Sequence, residues 1–136
     1  MPVLKSGKGV QLLGEIDHLH SWTAPADVAT LMRIVATEPQ AWGKAWHVPS
    51  NTPKTQREVV MDIAKELGLA DVKVGSVSRG ILTILGLFNP VIRELNNGSY
   101  QFTAPFVIDD SATRRTFGLK PTPWNSMLKE LVHSYR

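Results

Sequence analysis

The sequence predicts a small α/β domain with about five helices and a few short strands. Helix signals are the stronger of the two: residues 55–58, Thr-Gln-Arg-Glu, form a capping box, and apolar residues follow it at helical spacing. Strand signals are short, as in residues 72–77, where valine alternates with lysine, glycine and serine. With 136 residues and no internal repeat, we treat residues 1–136 as a single domain with one core.

Composition excludes several classes of protein. The hydrophobic fraction of 43% and the charged fraction of 20% are typical of a soluble globular chain, and no apolar run approaches the roughly 18 residues of a membrane helix. Cysteine is absent, which excludes disulfides and thiolate chemistry. Without a secretory signal at the start, we expect a cytoplasmic protein that has no membrane partner. A net charge of +3 on scattered basic residues gives only faint support to nucleic acid as a partner, and we do not expect one.

Three extended segments are predicted before the capping box. Val10–Leu13 is an apolar run that follows a turn rich in glycine, which indicates a strand. Residues 21–23 form a second extended piece. Residues 45–48 predict a short buried strand with Trp46 in the core, because turn residues follow it directly.

The first two helices have clear ends. One begins at Pro25 or Ala26 and ends near Pro39, which is unfavourable inside a helix. The other begins at the capping box and ends at Gly68, a residue suited to the left-handed conformation. The first of them is expected to place on one face Val28, Leu31, Met32 and Val35.

Residues 81–88 are almost entirely apolar and predict a third helix, capped by Ser78 and broken at Asn89-Pro90. This segment is too short to span a bilayer, so we expect a buried helix in preference to an interfacial membrane anchor. A further short helix is predicted over residues 91–95.

The C-terminal region predicts two helices separated by a proline. Asp109 or Asp110 caps the first helix, and Gly118 ends it. Thr122 is predicted as the N-cap of the last helix, with Pro123 in its first position. The apolar stripe of that helix comprises Met127, Leu128, Leu131, Val132 and Tyr135.

The sequence resembles one known family in three stretches: LLGEIDHLHSWTAPADVATLM, EPQAWGKAWHVPSNTPKTQREVV and PFVIDDSATRRTFGLKPTPW. Their order and spacing are similar to the C-terminal, substrate-side portion of extended short-chain dehydrogenases/reductases, the NAD-dependent epimerase/dehydratase family. The resemblance extends from about Val10 to Tyr135. One departure is visible, since Ala24 and Pro25 stand where such proteins often have an aromatic residue and a valine.

The resemblance implies a chemistry whose residues this chain lacks. The family binds NAD or NADP on a glycine-rich turn between a strand and a helix, but here Leu12 follows Gly7-Lys8-Gly9 in place of the third glycine. The family's catalytic tyrosine precedes a lysine by four residues, whereas Tyr100 precedes Ala104. We therefore expect the isolated chain to bind no cofactor, and we assign it no catalytic residue. Whether it contributes to an enzyme in an assembly stays open.

A stand-alone, non-catalytic module that acts in ligand binding or assembly is the function we expect. One alternative is half of a split NAD-dependent epimerase/dehydratase, active only with a Rossmann-type partner chain. Another is a mobile or decayed gene fragment that folds without a selected role. In the family this portion packs against the dinucleotide fold, so its apolar surface needs a new cover. We expect a homodimer, with or without exchanged elements, or a Rossmann-type partner chain.

The family resemblance implies that the segments around His20 and around residues 93–102 lie on the substrate side. The candidate residues for binding a small molecule are His20, Trp22, Arg93, Tyr100 and Phe102. Arg93 offers a guanidinium fork for a phosphate or carboxylate, and the aromatic residues can pack on a ring. For Arg93, a solvated position on a helix is the alternative. The sequence Asp17-His18-Leu19-His20 places two imidazoles on one side of an extended segment, but no third ligand is nearby, and we predict no metal site.

Overall fold

The computed structural model describes residues 9–70, 72–77, 79–98 and 103–135. Within these ranges it contains six α-helices, a 3₁₀ turn and four short strands, which confirms the predicted α/β class. In chain order they are β1 (Val10–Leu13), β2 (Leu19–His20), α1 (Pro25–Thr37), the 3₁₀ turn (Pro39–Ala41), β3 (Lys54–Thr55), α2 (Gln56–Glu66), β4 (Val74–Val77), α3 (Arg79–Gly86), α4 (Pro90–Asn97), α5 (Ser111–Phe117) and α6 (Trp124–His133).

The strands form two separate pairs. β1 runs parallel to β4, with Val10 opposite Val74, and β2 runs antiparallel to β3, with His20 opposite Lys54. A parallel pair needs a long crossover connection, and here that connection carries α1 and α2. The predicted strand at Val10–Leu13 is confirmed. The extended piece predicted at residues 21–23 is displaced, because the strand lies at Leu19–His20 and its partner β3 is only two residues long.

The capping box at the start of α2 is confirmed. The Glu58 N–H donates to Thr55 Oγ1 over 3.1 Å, and the Thr55 N–H donates to Glu58 Oε2 over 2.7 Å. Both bonds satisfy N–H groups that have no partner within the helix. Gly68, just beyond the helix, has φ of 70°, as its position after the C-terminus predicts.

The strand predicted at residues 45–48 is wrong. This segment has no regular structure, and Ala45 and His47 are exposed. Side chains hold it in place of a strand partner: Trp46 Nε1 donates to Ala41 O over 2.8 Å, and its ring meets Phe117 edge-on with centroids 4.7 Å apart. Trp46 is only half-buried, so it borders the core without belonging to it.

The buried helix predicted over residues 81–88 is also wrong. Helices α3 and α4 pack chiefly against each other, and a Cβ at Gly86 would lie 3.1 Å from Arg93 Cα. One neighbouring helix covers one face, so Leu82 is buried while most apolar residues of the segment are exposed. Ser78, the predicted cap, lies outside the described residues. None of the helices in the described ranges is long and apolar enough to cross a membrane.

Polar contacts join the starts of α1 and α6. Asp27 Oδ2 accepts from the Thr122 N–H over 2.8 Å, and Asp27 Oδ1 accepts from Thr122 Oγ1 over 2.7 Å. The predicted N-cap role of Thr122 is therefore wrong: α6 begins at Trp124, and Pro123 is its N-cap. The buried apolar side chains are Ile16, Ala24, Leu31, Ala41, Val60, Ala64, Leu82, Leu128 and Val132.

Candidate binding surfaces

A shallow apolar groove runs along α1. We call it the α1 groove; its volume is about 370 Å³, and its lining is Val28, Leu31, Met32, Val35, Ala41, Trp42, Gly43, Lys44, Trp46 and Val48. Helical spacing places the four α1 residues on one face, as the sequence predicts. Only Leu31 of these is buried, whereas Met32 is 65% exposed and Trp42 is 61% exposed.

Trp42 of the α1 groove presents its apolar ring to solvent, and Trp46 beside it is half-buried. Trp42 Nε1 donates to Val35 O over 3.1 Å, so its polar atom is already satisfied within the chain. Trp46 likewise donates to Ala41 O. Lys44 Nζ lies 5.7 Å from the centroid of the Trp46 ring, within the range of a cation–π contact. Apolar area of this kind on a groove marks a surface suited to binding another molecule.

A second apolar surface lies on the α3–α4 hairpin, residues 79–97. Five large apolar side chains are more than half exposed: Ile81, Ile84, Leu87, Phe88 and Val91. Leu87 and Phe88, at 75% and 86% exposure, occupy the tip between the two helices. The Asn89 side chain accepts from the Val91 N–H over 2.9 Å and fixes the start of α4 beside this tip. The hairpin therefore exposes an apolar surface around its tip.

A cleft between α2 and α6 is the third candidate site, and we call it the tryptophan cleft. Its volume is about 470 Å³ and its lining is almost entirely apolar: Trp22, Thr23, Ala24, Pro25, Ala26, Val59, Ile63, Trp124, Met127, Leu128, Glu130, Leu131 and Ser134. Val59 and Ile63 are four residues apart on α2, and Met127 and Leu131 have the same spacing on α6, so each helix turns one apolar face to the cleft.

Hydrogen bonds hold both indoles of the tryptophan cleft. Trp22 Nε1 donates to Lys54 O over 2.9 Å, and Trp124 Nε1 donates to Asp62 Oδ2 over 2.8 Å. Lys54 Nζ also pairs with Asp62 Oδ2 over 3.0 Å and lies 5.5 Å from the centroid of the Trp124 ring. These bonds hold both indoles in place. Lys54 lies over the Trp124 ring, and both indoles contribute to the lining of the cleft.

A polar cavity of about 570 Å³ lies beside β4 and contains an ion pair. Arg57 Nε donates to Asp17 Oδ1 over 2.7 Å, and Arg57 Nη2 donates to Asp17 Oδ2 over 3.0 Å. The hydrogen bonds from Arg57 hold the pKa of the Asp17 carboxyl below its ordinary value. Both side chains are exposed, so the pair contributes little to stability. Nearby, His18 Nε2 lies 3.2 Å from Glu15 Oε2.

The predicted site residues do not converge on one of these surfaces. Trp22 lines the tryptophan cleft, whereas His20 is 8% exposed and its Nδ1 donates to His18 O over 3.0 Å. Arg93 is exposed on α4. Tyr100 and Phe102 lie outside the described residues. In the described part of the chain, no three histidine or acidic side chains are grouped to hold a metal.

The residues around β1 do not fit a dinucleotide site. β1 continues into a loop and then into β2, so Gly9 does not stand on a turn that leads from a strand into a helix. The pyrophosphate of a dinucleotide needs the N–H groups at such a helix start. We therefore derive no chemical step through NAD or NADP at this position.

Sequence analysis missed most of the residues that line the apolar surfaces. Trp42 carried no prediction, and neither did the α2 residues Val59 and Ile63 as cleft-lining residues. The sequence does contain pairs of apolar residues four positions apart on two helices, which could have indicated the cleft. Such pairs are equally typical of helix faces that pack in the core. Comparison of the chain with protein-family models, with curated proteins and with solved structures finds no match.

Proposed function

We propose that the chain is a non-catalytic assembly module, derived from the substrate-side portion of an NAD-dependent epimerase/dehydratase, which forms a homodimer through its exposed apolar surfaces. The observation that carries this proposal is the exposure of Met32 and Trp42 around the α1 groove. Tryptophan and other large apolar side chains in pockets contribute most of the binding energy at protein interfaces.

The area that a stable dimer must bury indicates that each chain contributes two surfaces to the interface. A stable interface buries roughly 800 Å² on each partner. A fully buried aromatic side chain supplies about 150–250 Å², so the three exposed large apolar side chains of the α1 groove, Val28, Met32 and Trp42, fall short of that area. We therefore place the α3–α4 hairpin of one protomer in the α1 groove of the other. A two-fold axis repeats this contact twice.

Light scattering at several protein concentrations tests the homodimer. The wild type should have twice the mass of the chain, and Met32→Glu should have the mass of one chain, because a carboxylate in the α1 groove would lose its hydration in the dimer. Met61→Glu is the matched control: Met61 is 47% exposed on α2, outside the groove, and its substitution should leave the dimer intact. A monomeric wild type at every concentration would contradict the homodimer.

The split-enzyme alternative uses the same groove. In the family resemblance, α1 packs against the dinucleotide fold, so a Rossmann-type chain would cover Met32 and Trp42. This alternative requires a monomer that gains mass, and binds NAD or NADP in a calorimetric titration, only when such a chain is added. A monomer that gains neither favours the decayed-fragment alternative.

A further inference from the structure

The tryptophan cleft has no part in the proposed dimer. Its lining comes from α2, α6 and residues 22–26, and the hairpin and the α1 groove supply none of it. Its volume of about 470 Å³ falls within the range of roughly 300–1,000 Å³ that small-molecule sites occupy. The cleft thus needs a separate explanation.

The walls of the cleft are set before any ligand arrives. Trp22 is bonded to Lys54 O, and Trp124 is bonded to Asp62, so neither indole must give up a water partner when its face is covered. A site whose side chains are already held in place loses less conformational entropy on binding. Two flat indole faces and the aliphatic residues of α2 and α6 suit a ring compound.

Charge selects among ring compounds. Glu130 is the single charged residue of the lining, and among the described residues it has no ion-pair partner. The Lys54 ammonium, which lies over the Trp124 ring, is paired with Asp62. Both the free carboxylate and the indole faces attract a positive charge. An anionic group on the ligand would be repelled by the Glu130 carboxylate.

We propose that the tryptophan cleft binds a small aromatic compound that carries an amine. The ring lies between Trp22 and Trp124 against Ile63, and the ammonium group lies toward Glu130 at the rim. The site is independent of the dimer, so Met32→Glu should bind such a compound as the wild type does.

Calorimetric titration with three naphthalene probes tests this site. The probes share the ring and differ in charge: 1-naphthylmethylamine, 1-naphthalenemethanol and 1-naphthalenesulfonate. We expect the amine to bind about two- to fivefold more tightly than the alcohol, as an exposed charge pair allows, and the sulfonate to bind most weakly. Equal affinity for all three probes would overturn the role of charge, and the absence of saturable heat up to the solubility limit would overturn the site.

Substitutions locate the bound probe. Ile63→Trp fills the cleft from α2 and should abolish binding of all three probes, whereas Met61→Trp adds the same side chain to an exposed position of that helix and should retain it. If Ile63→Trp does not fold, Leu131→Trp fills the cleft from α6 and should abolish binding in the same way. Binding that persists in a folded, filled variant would show that the probes sit elsewhere.

A separate substitution tests the role of the Glu130 carboxylate. Glu130→Gln should remove the advantage of the amine over the alcohol, while Glu66→Gln, on α2 and outside the lining, should keep it. Light scattering on the folded filled variant supplies a further check. If filling the cleft dissociates a dimer, the cleft is a contact between two copies of the chain, and the small-molecule site is wrong.

Discussion

At the scale of single residues, Asp110 connects two distant parts of the chain through hydrogen bonds. Its carboxylate accepts from the Ser50 N–H over 2.6 Å and from Arg114 Nε over 2.7 Å. Arg114 Nη2 in turn donates to Ser50 O over 2.6 Å. The sequence predicts Asp109 or Asp110 as a helix cap. In the structure Asp110 is the N-cap residue of α5, but its side chain makes no cap hydrogen bond and instead joins the helix to the loop at Ser50, while Asp109 accepts from the Ser111 N–H.

Asp110→Asn should lower the free energy of unfolding at pH 7 by about 2 kcal/mol, because hydrogen bonds to a charged group are lost. The hydrogen bonds from Arg114, with that from Ser50, hold the pKa of Asp110 below its ordinary value, although partial burial acts in the opposite direction. The stabilisation is therefore complete above about pH 4 and lost as the pH falls through the lowered pKa. Urea unfolding from pH 7 downward measures it.

The control for this substitution is its neighbour. Asp109→Asn keeps an oxygen that accepts from the Ser111 N–H, so its stability should change little. If Asp110→Asn matches the wild type at every pH, the contact with Arg114 and Ser50 contributes nothing to folding.

Thr113 is a second residue with a measurable effect. It is fully buried in α5, and its Oγ1 has no hydrogen-bond partner among the described residues. Thr113→Val keeps the shape and removes the unsatisfied hydroxyl, so we expect a gain of about 1 kcal/mol in the free energy of unfolding. Thr116→Val, at an exposed position of the same helix, should change it by less than about 0.5 kcal/mol. A loss of stability in Thr113→Val would show that the hydroxyl has a partner.

At the scale of elements, the sequence predicts correctly those helix ends that residues close in the chain determine. The capping box starts α2 where the sequence places it, and Pro39 ends α1 close to its predicted position. The failures depend on distant partners. Residues 45–48 have strand-forming composition, but none of the described strands pairs with them, and the hairpin helix α3 is apolar but packs chiefly against α4. A sequence window contains no information on which element will lie opposite it.

The difference between a buried and an exposed apolar residue gives an element-scale prediction. Leu31→Asp should unfold the protein, because Leu31 is 4% exposed and a charge there would have no partner. Phe88→Asp should leave the fold intact and give a monomer, because Phe88 is 86% exposed at the hairpin tip. Circular dichroism and light scattering separate the two effects. A folded dimer in Phe88→Asp would remove the hairpin from the interface.

At the scale of the whole molecule, the sequence predicts the fold class but only part of the candidate sites. It indicates an apolar α1 face and names Trp22, yet it does not reveal that Trp22 and Trp124 face one cleft or that Trp42 flanks the α1 groove. Those relations join residues far apart in the chain. The proposed homodimer depends on the second of these relations, because it places the apolar hairpin of one copy in the α1 groove of the other.

The bond between Asp27 and Thr122 has a consequence for the order of folding. The two residues are 95 positions apart, so the loop between them must close before either hydrogen bond can form. Closure over such a distance slows folding. During synthesis the start of α1 lacks this anchor until Thr122 has left the ribosome.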